Sequence, residues 1–380
     1  MIEVTLGKVA HGGFVVARSS GKVIFVTGGL PGERVLVQIT ETGSRFDRGR
    51  VVQVLEPSTS RVTPPCPIAD SCGGCDWQHA SLEAQRQLKT EVVAEQLSRL
   101  AGISWEGQVE SVEPALHWRT RMRYAVAGGR VGLRGRRSHE VVPLPAQGCL
   151  ASHPGASPDQ LNRLAEGSRE LTVVHSADGT SILADGKLVS GNAVVRERAG
   201  GYEFRVAADG FWQVHPAAGE TLLAAVLEGL EPSPGELALD LYCGSGLFAA
   251  GLGGAGAGVV GVELNRAATA NARLNVPGGR FLAMSLAKAL RKLPSKVDLV
   301  VLDPPRRGAG FEVVSRIAGL GPRAIAYVAC DPASLARDLA GFAGRGYEQT
   351  SIRAFDLFPM THHVECVAVL KPRSADVGGD

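Results

Sequence analysis

Ala324-Ile325-Ala326-Tyr327-Val328-Ala329-Cys330-Asp331-Pro332 is the stretch that decides the fold of this chain. Its first part is an apolar strand pattern, and its end opens a predicted helix over 333–339, with Asp331 as N-cap and Pro332 at the first helical position. Cys330 therefore lies where a buried parallel strand ends, which is where open α/β sheets place their chemistry. A thiol close to a helix N-terminus, which favours the thiolate, is a candidate nucleophile. The alternative is a buried cysteine that packs like a small apolar residue.

The C-terminal part of the chain repeats this alternation of strand and helix. Two further strands, about 348–355 and 364–370, follow with no helix between them. We therefore predict an α/β fold with a seven-stranded sheet, in which five parallel strands are followed by a terminal antiparallel hairpin. This arrangement is typical of Rossmann-like S-adenosylmethionine (SAM)-dependent methyltransferases. The predicted parallel strands are 237–242, 258–263, 279–282, 297–302 and 323–329, and the helices between them are near 246–252, 265–274, 285–291 and 311–319.

The first strand-to-helix turn of this pattern is Asp240-Leu241-Tyr242-Cys243-Gly244-Ser245-Gly246. Glycines at Gly244 and Gly246 let the backbone approach a ligand closely. Because only two glycines are spaced as G-x-G, the motif alone also fits a nucleotide. Glu263 ends the second strand roughly twenty residues later, the spacing expected of a carboxylate that accepts hydrogen bonds from ribose hydroxyls.

Two further carboxylates are expected at the same rim as Cys330. The fourth strand ends in Asp303-Pro304-Pro305-Arg306-Arg307-Gly308, which would place Asp303 beside a methyl donor and the base it modifies; a rigid structural loop is the alternative. The final strand of this fold class runs antiparallel beside the fifth, so Glu365 near its start should face Cys330. A nucleophile beside a carboxylate base suits methylation of pyrimidine carbon 5. Thiolate attack at carbon 6 makes carbon 5 nucleophilic, and the base then removes its proton.

The N-terminal region, 1–56, alternates apolar and polar residues over five short runs separated by glycines. It predicts a small antiparallel barrel of the OB type. Arg45, Arg48 and Arg50, with Phe46 between them, are candidates for contacts with phosphates and bases, and a solvated loop is the alternative.

Three cysteines follow on a loop rich in glycine and proline: Cys66, Cys72 and Cys75, spaced C-x5-C-x2-C. Cys149 is the best candidate for a fourth ligand, and His79 competes with it. Four thiolates suit zinc or an iron–sulfur cluster. Three close cysteines and one distant one favour a 4Fe–4S cluster over zinc.

The densest positive region is near residue 119. Its strand is predicted to carry alternating arginines, interleaved with Trp118 and Tyr124, and Glu140 is the acidic residue nearby. It predicts a contact with a nucleic-acid backbone, a solvated strand face being the alternative. The arginines are Arg119, Arg121, Arg123, Arg130, Arg134, Arg136 and Arg137.

Bulk properties set the remaining expectations. The formal net charge of the 380 residues is +2, so a polyanionic partner must be met by a local patch. We expect a cytoplasmic protein without a membrane span or an obligate protein partner, because the chain has no signal-peptide pattern and no run of roughly 18 apolar residues. Residues 372–380 suggest a frayed tail.

Together these features resemble the RNA uridine-C5 methyltransferase family, which makes 5-methyluridine in rRNA and tRNA. The resemblance covers nearly the whole chain: a TRAM-like OB barrel at 1–56, a central domain with the cysteines and basic surface at 57–210, and a SAM-dependent methyltransferase domain at 211–380. The matching motifs are Phe211-Trp212-Gln213-Val214, Asp240–Gly246, Glu263, Asp303–Gly308, Cys330-Asp331-Pro332 and His363-Val364-Glu365.

The resemblance implies roles for individual residues. Cys330 would be the nucleophile and Glu365 the base. The residues around SAM would be Gln213, which is also near the uracil, with Tyr242, Gly244, Glu263 and Asp303. The ligands of a 4Fe–4S cluster would be Cys66, Cys72, Cys75 and Cys149. Two positions depart from the family pattern: His215 stands where the family usually has Asn, and Leu247 where some members have an Asn that contacts the donor.

Two other functions remain open. An RNA methyltransferase acting on exocyclic amines of adenine or guanine would use the Asp303-Pro304-Pro305 loop but leave Cys330 and Glu365 idle. A non-catalytic RNA-binding factor would need neither the glycine turn nor the thiol. For the substrate, the barrel and the cysteines favour rRNA, with tRNA as the alternative.

Overall fold

A computed structural model describes residues 1–373. Most of the tail expected to fray, from residue 374 onward, lies outside the described residues. Across 1–373, no helix combines the length and apolarity that a bilayer crossing requires.

The N-terminal region forms a six-stranded sheet in the order β1-β5-β6-β4-β3-β2. β1 and β2 are consecutive in the chain but lie at opposite edges, so the sheet curls, and Gly7 N donates to Val16 O at 2.7 Å. The five predicted strands are present and short β2 is additional, but the sheet is not wholly antiparallel as predicted, because β4 and β6 pair in parallel. The strands are β1 Ile2–Thr5, β2 Val9–Ala10, β3 Phe14–Ser19, β4 Lys22–Thr27, β5 Arg34–Thr42 and β6 Phe46–Glu56.

The middle of the chain contains a long helix and a second antiparallel sheet, ordered β10-β9-β8-β11-β12-β13, followed by the hairpin β14-β15. The helix begins at its N-cap Ser81, whose side chain accepts from Ala84 N, and ends at Gly102, which has a φ of 67°. The elements are α1 Leu82–Ala101, β7 Val109–Ser111, β8 Arg121–Ala127, β9 Arg130–Arg134, β10 Val141–Pro143, α2 Pro158–Leu164, β11 Glu170–Ser176, β12 Gly179–Ala184, β13 Lys187–Ser190, β14 Val194–Ala199 and β15 Tyr202–Ala207.

The C-terminal sheet has the predicted doubly wound order, β18-β17-β16-β19-β20-β22-β21-β7. The first five strands are parallel to one another, and β22 runs antiparallel to both β20 and β21. The elements are α3 Ala218–Leu230, β16 Leu237–Leu241, α4 Leu247–Gly254, β17 Gly258–Glu263, α5 Arg266–Asn275, β18 Arg280–Ala283, α6 Leu286–Ala289, β19 Leu299–Leu302, α7 Phe311–Gly319, β20 Ala324–Ala329, α8 Pro332–Ala343, β21 Tyr347–Asp356 and β22 Glu365–Pro372.

This sheet has eight strands rather than the seven predicted. The eighth is β7, which pairs in parallel with the outer strand β21 and covers its edge. Helix α1 also joins this layer, since Val93 and Leu97 belong to the same apolar core as Leu335 and Leu339 of α8. Residues 82–111 thus complete the core of the C-terminal sheet, although they precede the middle sheet in the chain.

A buried ion pair fastens α1 to the end of β21. Lys89 Nζ lies 2.5 Å from Asp356 Oδ1, both side chains are almost fully buried, and the same ammonium donates to Phe358 O at 3.0 Å. The pair anchors the start of the loop over 357–364, which leads directly to Glu365.

Candidate active site

Cys330 is the first residue after β20, at the carboxyl edge of the parallel strands. The predicted cap is present: the Asp331 carboxylate accepts a 2.7 Å hydrogen bond from Ser334 N, and Pro332 opens α8. Asp331 also lies 2.8 Å from His11 Nε2 of the N-terminal domain. The loop that carries the thiol is therefore held from two sides.

Glu365 is the first residue of β22, the strand antiparallel to β20. The register of the two strands ends with Ala329 paired to Cys366, so the residue after the one and the residue before the other, Cys330 and Glu365, leave this pair at the same edge of the sheet. Glu365 is 3% exposed, whereas Cys330 keeps part of its surface open. The topology thus brings together two residues that are 35 positions apart in the sequence.

Asp303 and Arg306 complete a charged group at the carboxyl edge of the parallel strands, here called the rim. Burial raises the pKa of Glu365, the Asp303 charge adds to that rise, and Arg306 opposes it. Burial likewise raises the pKa of Asp303, to about 7. For Cys330, burial together with the Glu365 and Asp303 charges raises the pKa to about 12, again opposed by Arg306. The prediction that the helix N-terminus favours the Cys330 thiolate is therefore wrong for the ligand-free protein. Desolvation and the two carboxylates outweigh the effect of the helix N-terminus.

The loop after β19 is held rigidly by a buried carboxylate that the sequence does not single out. Asp338 accepts hydrogen bonds from the Tyr327 hydroxyl at 2.6 Å and from Ala309 N at 2.7 Å. Gly308 has a φ of +84°, and a Cβ there would meet Asp338 Oδ2 at 2.7 Å. The loop is thus fixed to β20 and α8, and this fixes where Arg306 leaves the backbone.

The glycine turn between β16 and α4 forms the second part of the site. Glu263 accepts from Gly244 N at 3.1 Å and from Asn265 N at 2.6 Å, so the carboxylate is oriented while each oxygen keeps a lone pair for another donor. Tyr242 has a φ of 65°, a conformation unusual for a residue with a side chain. One oxygen of the buried Asp240 has no partner among the described residues. These features fit a polar ligand with hydroxyl groups.

Gln213 lies in a buried segment that leads into α3. Its neighbour Val214 accepts at its carbonyl from both Thr120 N and Thr120 Oγ1, at 2.8 and 2.9 Å, which ties this segment to the strand that carries the arginines. His215, one of the departures from the family pattern, uses both ring nitrogens locally: Nδ1 accepts from Ala217 N, and Nε2 lies 3.2 Å from Pro114 O. His215 therefore serves as a buried structural residue here.

The four cysteines predicted as ligands converge on one cavity. Its other lining residues are mostly apolar, with the polar side chains of Gln78, Arg119 and Arg123 among them; the cysteines are Cys66, Cys72, Cys75 and Cys149. His79 does not line it, and its Nε2 lies 3.4 Å from Gly29 O instead. Throughout 1–373, no group of three or more His, Cys, Asp or Glu side chains is arranged to hold a metal ion. The convergence of the thiols is thus observed, whereas a metal-binding arrangement is not.

Several arginines of the basic region form ion pairs with acidic side chains of this chain. The sequence indicated Glu140 as the acidic residue nearby, but the acidic residues that pair with four of the arginines are distant in sequence. The most buried pair is Arg121–Glu197, at 2.7 Å. The others are Arg123–Glu170, Arg136–Asp76 and Arg137–Glu41.

The N-terminal sheet carries a row of aromatic rings on its outer face. Phe14, Phe25 and Phe46 lie on adjacent strands, with ring centroids 5.8 and 5.1 Å apart in edge-to-face pairs. Arg48 lies over the Phe46 ring at 5.1 Å and also pairs with Glu41 at 2.9 Å. Arg50 donates to Gln38 at 3.0 Å. The sequence singled out Phe46 and Arg48, but the other two rings appear only in the folded sheet.

Comparison with known proteins identifies the family. Residues 1–52 match the TRAM domain model, and residues 287–373 match the tRNA (Uracil-5-)-methyltransferase model. An uncharacterized RNA methyltransferase of Streptomyces avermitilis is 46% identical over 97% of this chain and 98% of its own length. The 23S rRNA (uracil(1939)-C(5))-methyltransferase RlmD of Shewanella sp. ANA-3 is 32% identical over 95% of this chain and 93% of its own length.

A solved structure shares the fold. The tRNA (uracil-54, C5)-methyltransferase of Pyrococcus abyssi, in complex with S-adenosyl-L-homocysteine, superposes with a TM-score of 0.75 at 23% identity, covering 97% of this chain and 100% of that chain. With the rim geometry and the whole-length relatives together, this chain belongs to the family of SAM-dependent RNA uracil-C5 methyltransferases.

Proposed function

We propose that this chain methylates carbon 5 of a specific uridine in RNA, with Cys330 as nucleophile and Glu365 as base. The observation that supports the proposal is the register of β20 and β22, which ends with Ala329 paired to Cys366 and so brings the partly exposed Cys330 and the buried Glu365 to the same end of the two strands. A buried carboxylate destabilises a core unless it is paired, so the burial of Glu365 favours a functional role for it.

The chemistry assigns one task to each group. The Cys330 sulfur, once deprotonated, bonds to carbon 6 of the uracil and makes carbon 5 nucleophilic, so that carbon 5 accepts a methyl group. The Glu365 carboxylate then takes the proton from carbon 5, and the electron pair of that C–H bond expels the Cys330 thiolate and restores the ring double bond. A uridine inside folded RNA must be flipped out of its stack to reach the thiol.

The methyl group is supplied by SAM. The residues we propose to hold SAM are Gln213, Tyr242, the Gly244 turn, Glu263 and Asp303. The fit rests on two features: Glu263 is oriented by backbone donors and retains acceptor capacity for ribose hydroxyls, and Asp303 is a carboxylate at the rim that a sulfonium cation would stabilise.

A positive charge beside Asp303 has a measurable consequence for Cys330. Burial and the Glu365 and Asp303 charges raise the pKa of the thiol to about 12 in the ligand-free protein, so alkylation of Cys330 by iodoacetamide should still accelerate between about pH 10 and pH 11, where an ordinary thiol has reached its plateau. SAM should increase the rate at a given pH, because its cation favours the thiolate. S-adenosylhomocysteine, which lacks the charge, is the control and should not. A plateau reached by about pH 10 in the ligand-free protein, measured by peptide mass spectrometry, would contradict this electrostatic account.

For the substrate we propose rRNA, with tRNA as the alternative. The Shewanella relative named for 23S rRNA is 32% identical over nearly all of both chains. The Pyrococcus protein named for tRNA is 23% identical, which supports the shared fold alone.

For the RNA contact we propose the curled N-terminal sheet, taken as an OB-type barrel. Its outer aromatic row, Phe14, Phe25 and Phe46, offers half-exposed rings on which unpaired bases can stack, and Arg45 and Arg50 are exposed for phosphates beside it. The row begins next to the loop 11–13. His11 of that loop contacts Asp331, the residue after Cys330, so this end of the row lies on the side of the N-terminal sheet that contacts the active site.

For the cysteine cavity we propose a 4Fe–4S cluster. The cavity holds about 110 Å³, well above the roughly 10–15 Å³ that one water needs and unusual in a close-packed interior. A cluster of this kind is held by four cysteine thiolates, and four cysteines line this cavity. Protein purified without oxygen should be brown and contain about four iron atoms per chain. A colourless protein containing one zinc would contradict the cluster.

The function is tested with RNA in which 5-fluorouridine replaces uridine. Fluorine on carbon 5 cannot leave as a proton, so the enzyme, SAM and this RNA should form an adduct that survives denaturation, and sequencing the trapped RNA would identify the uridine. If no adduct forms while unsubstituted RNA is still methylated, the exocyclic-amine function is correct. If calorimetry shows no SAM binding and no methyl group is transferred, the non-catalytic function is correct.

A further inference from the structure

The loop over 357–364, here called the rim loop, connects β21 to Glu365 and contacts two distant parts of the chain. Met360 O accepts from Asp76 N at 2.8 Å and from Trp77 N at 3.0 Å. Both residues follow Cys75 on the loop over 66–79, here called the cysteine loop. Trp77 Nε1 in turn donates to Gly13 O of the N-terminal domain at 3.2 Å. Three segments that are far apart in sequence thus meet directly beneath the active-site rim.

Asp76 is the centre of this junction. Its Oδ2 accepts from His362 N at 3.1 Å and lies 2.6 Å from His362 Nδ1. Its Oδ1 accepts from Arg136 Nη1 at 3.1 Å, and the same guanidinium donates to Cys75 O at 2.6 Å. Behind the imidazole, a Cβ on Gly13 would lie 2.9 Å from His362 Cβ. His362 is therefore wedged in one orientation.

The next residue, His363, connects the fixed His362 ring to the reaction centre. The His362 and His363 rings have centroids 4.1 Å apart, and His363 Nε2 accepts a 3.1 Å hydrogen bond from Arg306 Nη2. Burial lowers the pKa of His363 to about 3, and the charges of His362 and Arg306 add to this, so the ring is neutral and can accept. Arg306 is the cation that favours the charged forms of both Cys330 and Glu365.

We propose that Asp76 is a positioning residue for the methyl-transfer reaction, acting through His362 and His363 to hold the Arg306 guanidinium beside Cys330 and Glu365. The proposal rests on the function proposed above. It gives the cysteine loop a task without redox chemistry: the loop fixes Asp76, and Asp76 fixes the catalytic rim.

Arg306 has a physical need for such support. Its side chain is exposed, and long exposed side chains populate many rotamers. It also stands near a second cation, since burial lowers the pKa of Arg119 and the charge of Arg306 contributes to that lowering. An exposed arginine repelled by a buried one moves towards solvent unless an acceptor holds it. Among the described residues, His363 is the side chain that accepts from it.

The test is a double-mutant cycle under single-turnover conditions. Asp76→Ala should lower the rate of methyl transfer by about tenfold to a hundredfold, the range that misplacement of a reacting group produces, while the Kd of SAM stays unchanged. In an Arg306→Ala background, Asp76→Ala should cost less than twofold more, because the guanidinium it positions is gone. His362→Ala, which lies outside the cysteine loop, should reproduce both results. Asp178→Ala is the matched control: it removes a carboxylate paired with Arg196 at 2.6 Å on a distant hairpin, and should leave the rate unchanged.

Outcomes that overturn the proposal are distinct from failure of the proposed function. If Asp76→Ala and His362→Ala lower the rate equally in the wild-type and Arg306→Ala backgrounds, the junction acts on the fold as a whole and not through Arg306. If neither lowers the rate, it does not position the rim. In both cases wild-type protein still forms the 5-fluorouridine adduct. If Asp76→Ala loses its melting transition, His362→Ala alone decides.

Discussion

Cys330→Ala is expected to abolish methyl transfer to RNA, with a rate loss on the order of 10⁴–10⁶, the scale found when an enzyme loses its nucleophile. Without the sulfur, carbon 5 of uracil is too weakly nucleophilic to take a methyl group. Single-turnover transfer of a radiolabelled methyl group measures the loss. The 5-fluorouridine adduct should disappear with it, while the Kd of SAM should change little.

Cys366→Ala is the matched control for this variant. Its thiol is the next residue after Glu365 and is completely buried in the core between the sheet and its helices. Removing it costs packing alone, so methyl transfer should remain within a few-fold of wild type after correction for any loss of stability. If Cys330→Ala instead transfers methyl groups at the wild-type rate, the thiol mechanism is wrong and exocyclic-amine chemistry takes its place.

The sequence predicted this site because its groups lie at strand ends. In a doubly wound sheet every parallel strand ends at the same edge, so Cys330, Asp303 and Glu263 could be placed together from strand order alone. Because the final strand runs antiparallel beside the fifth, Glu365 near its start could be placed at the same edge. These inferences need only the alternation of strand and helix, which hydrophobic periodicity reveals.

What could not be predicted depends on contacts between residues far apart in the chain. β7 has three residues, too few for a periodic signal, and pairs with a strand more than 200 residues later. The partners of the arginines come from other parts of the fold: Arg121 is on β8 of the middle sheet, whereas its partner Glu197 is on β14 of a separate hairpin. The pKa of Cys330 was misjudged for the same reason: the helix N-terminus is local, but the carboxylates that outweigh it come from other strands.

Glu365→Gln is expected to stop the reaction after methyl transfer and to accumulate a covalent complex with ordinary uridine RNA. The carboxamide cannot take the proton from carbon 5, so the bond from Cys330 to carbon 6 cannot break. Turnover should fall by about 10²–10⁴, the contribution of a general base. A denaturing gel would show the adduct, and mass spectrometry would show that its uracil already carries the methyl group.

The fold should tolerate this change better than most changes to a buried charge. Burial and Asp303 raise the pKa of Glu365, which favours its neutral form more than in an exposed glutamate, and glutamine resembles that neutral form. A carboxyl group whose pKa is higher in the folded state binds more protons there than in the unfolded state, so the wild type loses stability as the pH rises above about 4.3, the unfolded value. Glu365→Gln removes this contribution and should melt at the wild-type temperature or above it at alkaline pH. Glu348→Gln, exposed on β21, controls for the loss of a carboxylate without loss of the base. If Glu365→Gln neither accumulates an adduct nor slows turnover, another group removes the proton; if it blocks methyl transfer itself, Glu365 acts before the proton is lost.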